Sequence, residues 1–334
     1  MHFCQDMFIQ SGKQDFTAAP QNEAFTNAQY RALLSERRRI VVKIGSSSLL
    51  HKETGRLDYH RIDRLARELS DLKNQGREVI LVSSGATAVG REAMSAAGGR
   101  GPFPNPVMIG GMPSGAGNID TYAQEATMSR KQAFAAIGQA RLIMIYQKFF
   151  EDYNQVTGQI LMTKTTVVNE SSRENLYNTL TELLSLGVIP IVNENDSVAT
   201  LEYSLGDNDS LSAMVAAIVH ADLLILLSDV DGLYSDDPRS NLNAEFIEFV
   251  PHLTDEIMRM GKETTGSGVG TGGMNTKLHA AKMAVSTGCD MVIVNTKNGM
   301  EVISDVMEGR SVGTLFCADY DRNFDLIGYV EETY

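Results

Sequence analysis

Three stretches of this chain gather the groups that handle phosphates and carboxylates. Between Gly270 and Lys277 the sequence reads Gly-Thr-Gly-Gly-Met-Asn-Thr-Lys. Glycines there let backbone N–H groups approach a phosphate closely, and the closing lysine adds a cation. The stretch is not a P-loop, because Lys277 follows Thr276 and the Gly-Lys-Ser/Thr ending is absent. Gly268, Gly270 and Gly273 also match the dinucleotide fingerprint, but that fingerprint needs a strand immediately before it. Asp255 to Gly268 is instead polar and helix-like. A flexible linker is the bland alternative for the same composition.

The second stretch is Arg39 to Ile44 (RIVVKI), a β-branched run that ends in Gly45-Ser46-Ser47-Ser48. It predicts a buried strand running into a small-residue turn, with Lys43 inside the apolar run. A lysine so placed is ordinarily an edge-strand residue with its ammonium in water. A strand end facing a Gly/Ser turn is also where open α/β sheets bind ligands. The third stretch is Gly206-Asp207-Asn208-Asp209, which opens a run with helical apolar spacing, so Asp207 or Asn208 is a plausible N-cap. Capping accounts for one acid. The additional acid and amide, together with Asn193-Glu194-Asn195-Asp196 after the strand-like GVIPIV, predict a polar pocket for a metal, an ammonium or a phosphate-bearing ligand. A further strand, Asp222 to Ser228, leads into Asp229-Val230-Asp231-Gly232; this resembles the start of a calcium loop but lacks its later ligands and closing Glu.

The elements that must position these groups alternate. Strand patterns at Arg39–Ile44, Glu78–Ser83, Gly158–Met162, Gly187–Val192, Asp222–Ser228 and Asp290–Val294 are separated by helical patterns at Asp58–Gly76, Lys131–Tyr153, Ser172–Leu186, Asp209–His220 and Thr276–Thr287. That order predicts a mainly parallel sheet covered by helices. Residues 1–36 read as a polar, loosely packed extension without a secretory signal. Residues 95–120, dense in Gly, Pro, Ala and Met, read as a long, mobile, solvent-exposed loop.

At 334 residues, 43% hydrophobic and 21% charged, the chain can bury the core of a large α/β enzyme. A net charge of -13 disfavours a nucleic-acid surface, and no apolar run is long enough to span a bilayer. Three scattered cysteines, Cys4, Cys289 and Cys317, fit neither a disulfide framework nor a zinc site and point to a reducing cytoplasm.

Ordered blocks along the chain then carry a resemblance: VVKIGSSSL at Val41, VSSGATAVGRE at Val82, AAIGQARL at Ala135, PIVNENDSVAT at Pro190, GDNDSLSA at Gly206, LLSDVDGLYSDDPRS at Leu226, GTGGMNTK at Gly270 and DVMEGRSVGTLF at Asp305. From Arg38 to Phe316 the sequence resembles the glutamate 5-kinase branch of the amino acid kinase family. The resemblance implies an open αβα sandwich with a mainly parallel sheet. It implies phosphorylation of the side-chain carboxylate of L-glutamate by Mg-ATP, the first step of proline biosynthesis. Feedback inhibition by proline, a homo-oligomer and a glutamyl phosphate reductase (glutamate-5-semialdehyde dehydrogenase) as pathway partner belong to the same expectation. The blocks end near Phe316, so the PUA domain common in bacterial members is not expected; residues 37–334 are read as the kinase domain.

The resemblance assigns Lys43, Lys277 and Asp209 to catalysis, with Asp209 orienting the two ammonium groups, and Ser84, Asp196 and Asn208 to glutamate. The residue chemistry agrees, because an α-amino group wants a carboxylate and an α-carboxylate wants hydroxyl, amide and turn N–H donors, here Ser84, the Gly85 backbone, Asn193 and Asn208. ATP is expected over Lys43, Ser228, Asp229 and the loop Thr271, Gly272, Gly273, Met274, Asn275, Thr276 and Lys277, with Mg²⁺ carried by the nucleotide and no protein metal ligands. A carboxylate acceptor is already ionised at neutral pH and needs no general base. The alternatives are an acetylglutamate, aspartate or carbamate kinase of the same family, or a sensor that has lost catalysis.

Overall fold

The computed structural model describes residues 25–51, 53–96, 119–199, 207–261 and 273–334. The strands are β1 (Arg39–Ile44), β2 (Glu78–Ser83), β3 (Thr157–Met162), β4 (Ile189–Glu194), β5 (Leu223–Ser228), β6 (Leu233–Tyr234), β7 (Phe246–Ile247), β8 (Phe249–Val250), β9 (Asp290–Asn295) and β10 (Thr314–Phe316). The helices are α1 (Asn27–Leu33), α2 (Ser46–Leu49), α3 (Tyr59–Asn74), α4 (Ala86–Ala96), α5 (Ile119–Glu151), α6 (Lys164–Val168), α7 (Glu170–Ser185), α8 (Asn208–Ile218), α9 (Asp255–Met260), α10 (Met274–Ser286), α11 (Val302–Met307) and α12 (Leu326–Thr333).

An eight-stranded sheet runs in the order β3-β4-β2-β1-β5-β9-β10-β8, and β6 pairs with β7 separately. The strands from β3 to β9 are mutually parallel, while β10 turns antiparallel to β9. Both faces are covered, which is why the central strands read as nearly unbroken apolar runs. Side chains alternate along each strand. On β1, Ile40, Val42 and Ile44 pack with α3, α5 and α11 through Leu65, Tyr146 and Val306. Val41 packs on the opposite face with α7, α8 and α10 through Leu180, Met214 and Leu278. The result is an αβα sandwich, as the sequence led us to expect.

β1 is central, hydrogen-bonded to β2 on one side and β5 on the other. The chain fills the β2 side before crossing to β5, so the winding reverses beside β1. Ligands of open α/β sheets bind at the carboxyl ends of such strands. Lys43 lies there, on the face shared with α8 and α10, and the edge-strand reading of this lysine is therefore wrong.

Three other expectations are corrected. Residues 25–36, read as part of a loose extension, fold into α1 and a 3-10 turn (Leu34–Glu36). Arg31 is buried there, donating to the carbonyls of Glu248, Val312 and Gly313 at 3.0, 2.8 and 2.9 Å. Ser95 and Ala96 belong to α4, and Ile119 and Asp120 to α5, so helices claim both ends of the stretch read as a loop. The remainder of that loop reading, and residues 1–24, lie outside the described residues. Finally, α4 was not foreseen at all, and β4 starts at Ile189 rather than Gly187.

Candidate active site

The site assembles where β1, β2, β4 and β5 end and α4, α8 and α10 begin. Asp207 caps α8: its side chain accepts the backbone N–H of Ser210 at 2.8 Å. That cap sets the next carboxylate, Asp209, in the first helical turn, where the helix dipole favours negative charge. Asp209 is 2% exposed. One oxygen meets Lys43 Nζ at 2.5 Å and the other meets Lys277 Nζ at 2.8 Å. Burial alone would raise the Asp209 pKa, yet the ammoniums of Lys43 and Lys277 outweigh it and hold the carboxyl well below its ordinary range. Neighbouring Asp207 moves the other way, raised by burial and then by the charge of Asp209.

Lys277 is drawn in by α10. Gly273, its N-cap, has no side chain to satisfy the first-turn N–H groups, and groups so placed suit an anion. Thr276 Oγ1 donates back to the Gly273 carbonyl at 2.8 Å, and among the described residues the buried Asn275 Oδ1 has no hydrogen-bond partner. Of the predicted nucleotide loop, Gly273, Met274, Asn275, Thr276 and Lys277 form this helix start; Thr271 and Gly272 lie outside the described residues. Ser228 closes β5 and is buried, while Asp229 is exposed just beyond it. Ser228 ends the strand next to that of Lys43, and Asp229 follows it.

Of the predicted acceptor residues, Ser84, Asn193 and Asn208 form a second cluster. Asn208 Nδ2 donates to Ser84 Oγ at 2.8 Å, to the Ser83 carbonyl at 2.7 Å and to Asn193 Oδ1 at 3.0 Å. Gly85 sits between β2 and α4 at φ +103°, a conformation that admits glycine and strains other residues. Asp196 lies half-buried in the turn after β4; burial raises its pKa, with the charge of Lys131 pulling against it. Sequence reasoning missed Gln139 of α5, whose Oε1 accepts Asn193 Nδ2 at 2.8 Å and so turns Asn193 Oδ1 toward Asn208. It also missed Tyr146, whose hydroxyl is 2.8 Å from Ser83 Oγ. Gln139 stands in the AAIGQARL block, so the signal was present without a role attached.

Among the described residues no group of three His, Cys, Asp or Glu side chains could hold a metal ion, and no helix is long and apolar enough to cross a membrane.

Fold and site together define a class: an αβα sandwich with two buried lysines and the start of a helix gathered at the carboxyl ends of its parallel strands. The chain belongs to the amino acid kinase family, whose model matches residues 38–295. It is 44% identical over 286 residues to the glutamate 5-kinase of Carboxydothermus hydrogenoformans, spanning 86% of this chain and 69% of that one. It is 41% identical over 292 residues to the glutamate 5-kinase of Clostridium perfringens (86% and 98%). With that of Clostridium tetani it shares 45% over 285 residues (85% and 96%). Among solved structures the chain resembles UMP kinase from Ureaplasma parvum, with a TM-score of 0.53 at 16% identity over 84% of this chain and 99% of that one. UMP kinase from Bacillus anthracis gives the same TM-score of 0.53 at 15% identity, covering 85% and 97%. At such identities these likenesses speak for the fold alone.

Proposed function

We propose that the protein is a glutamate 5-kinase, transferring the γ-phosphoryl group of ATP to the side-chain carboxylate of L-glutamate to give L-glutamyl 5-phosphate and ADP. The observation that carries the reading is the buried Lys43–Asp209–Lys277 triplet beside the Asn208–Ser84–Asn193 cluster. A carboxylate oxygen of glutamate attacks the γ-phosphorus, and the bond from that phosphorus to the β,γ-bridging oxygen breaks with its electrons going to ADP. No proton has to move, so no general base is needed. What the reaction demands is in-line placement and neutralisation of the moving phosphoryl group. Lys43 and Lys277 supply the cations, and Asp209 holds both in place before substrate arrives, which removes reorganisation from the chemical step. The start of α10 receives the β- and γ-phosphates, with Ser228 and Asp229 toward the ribose. Mg²⁺, carried on the nucleotide, would spread the phosphate charge.

In this reading Ser84, the Gly85 N–H, Asn193 and Asn208 hold the α-carboxylate. Asp196, a carboxylate whose pKa is raised by burial, gains most from a cationic partner, and the α-amino group of glutamate provides one. Proline is read as a competitor at that pocket, the reaction as the first step of proline synthesis in the cytoplasm, and a glutamyl phosphate reductase as the consumer of the labile product. The enzyme works as a homo-oligomer.

Asp196 gives the sharpest test. N-acetylglutamate lacks the ammonium and adds bulk, so ATP consumption should favour glutamate by on the order of a thousandfold in kcat/KM, the scale of leaving a buried charge unpaired. Equal use of both acceptors would replace this reading with an acetylglutamate kinase, and ATP turnover unaffected by glutamate would end it.

A further inference from the structure

The helix that follows the last strand touches both helices that carry the charged triplet. Asp325 starts α12, its Oδ1 accepting the N–H groups of Ile327 and Gly328 at 3.1 Å each. The Tyr329 hydroxyl lies 2.6 Å from His279 Nδ1, two residues beyond Lys277 on α10. The Tyr334 hydroxyl lies 2.5 Å from Ser210 Oγ, the residue after Asp209 on α8. The Tyr334 ring also meets His279 edge-on, with centroids 6.5 Å apart. One short segment therefore grips α8 and α10 together, each within two residues of a charge in the triplet.

The Tyr334 hydrogen bond has a direction, because Ser210 Oγ commits its one proton to Asp207 and the phenol is then the donor. Burial raises both phenols, that of Tyr329 to about 12, which keeps them protonated. Ser210 Oγ donates onward to Asp207 Oδ2 at 2.9 Å. Tyr334 thus feeds a chain that ends on the cap of α8, the residue that fixes where Asp209 sits. The start of α10 is loosely closed: its N-cap, Gly273, has no side chain to cap it, and its first N–H to carbonyl bond, Lys277 to Gly273, is long at 3.5 Å. Both tyrosines lie beyond residues 38–295, the stretch that the family model matches.

We propose that Tyr329 and Tyr334 are positioning residues for phosphoryl transfer, with α12 acting as a strap that pins the starts of α8 and α10 and so seats Lys277 against Asp209. The role in turnover rests on the glutamate kinase reading above.

The test uses Tyr334→Phe and Tyr329→Phe in the full chain, which remove one hydroxyl each and keep the rings. Each should lower kcat by about three- to tenfold, a modest share of what misplaced catalytic groups can lose. KM for glutamate and for ATP should stay within about twofold. Tyr334→Phe should slow a Ser210→Ala enzyme by less than about twofold, because the two groups act through one hydrogen bond. A readout that needs no acceptor accompanies these. Amide hydrogen exchange should speed up at residues 208–211 and 274–279 in Tyr334→Phe and stay unchanged in β1 and β5. Wild-type kcat with wild-type exchange in both variants overturns the strap. So does a kcat loss that tracks a lowered melting temperature and disappears on cooling, since the tyrosines would then be structural only. If the wild-type chain fails to phosphorylate glutamate, the kinase reading falls instead, and the exchange pattern alone decides the strap.

Discussion

Asp209 pairs with two ammoniums through one side chain, so its protonation state governs how both are held. Its pKa is lowered from the ordinary 3.8. For an acid shifted down, the stabilisation is complete above the ordinary value and is lost as pH falls through that value toward the folded one. A protonated Asp209 has the shape and charge of the amide in Asp209→Asn. The stability gap between wild type and Asp209→Asn should therefore be constant from about pH 7 to 5 and shrink below about pH 4, read from urea midpoints along the pH series. A gap independent of pH down to about 3 would mean that the lysines do not set the charge of Asp209. The types and order of these groups were legible in the sequence, because a lysine in an apolar run and two acids at a helix start are both unusual. Their meeting was not. Lys43 reads as an edge residue until the strand order is known, and that order depends on pairings between segments far apart in the chain.

The acceptor cluster depends on how closely two helices cross. At Gly138 of α5 an added β-carbon would sit 1.7 Å from the Ala86 carbonyl oxygen and 2.5 Å from the Gly90 nitrogen. At Gly90 of α4 it would sit 1.9 Å from the Phe134 carbonyl oxygen. All of these are backbone atoms, so neither helix can yield without shifting as a unit. α4 starts at Ala86, directly after Ser84 and Gly85, and α5 carries Gln139 beside Gly138. Gly138→Ala should lower stability by about 1–3 kcal/mol, the range for overpacking, and raise KM for glutamate more than KM for ATP. Thermal denaturation and steady-state kinetics check the two parts, and an unchanged glutamate KM would disconnect the crossing from the pocket. The same compactness hid α4 from sequence reading. Its Ala, Gly, Thr and Val residues are small and carry few large apolar markers, and Gly90 permits the close contact rather than breaking the helix. The long strands and the helices α3, α7, α8 and α10 were legible, because their apolar residues recur at clear spacing.

Across the whole molecule the chain is sewn to itself by an early residue. Arg31, 1% exposed, spends its guanidinium on carbonyls of Glu248, Arg310, Val312 and Gly313, all next to β8 and β10. Arg31→Ala would strand these acceptors at the antiparallel edge of the sheet. A loss of roughly 2–4 kcal/mol is expected from several charge-assisted bonds removed together, seen as a lower urea midpoint with an unchanged slope. A change below about 0.5 kcal/mol would show the contacts to be incidental. Nothing in the local sequence announces this role, since the partners are backbone carbonyls more than 200 positions away. The triplet at the centre has a consequence of its own. Lys43 comes from the first strand of the sheet and Lys277 from a helix near the other end of the chain, yet one aspartate touches both. The gap between the two cations is thus gauged by the reach of a single side chain, as the jaws of a caliper are set by one screw. A residue one methylene longer at position 209 would reset both jaws at once, and the space between the two ammoniums would change with it.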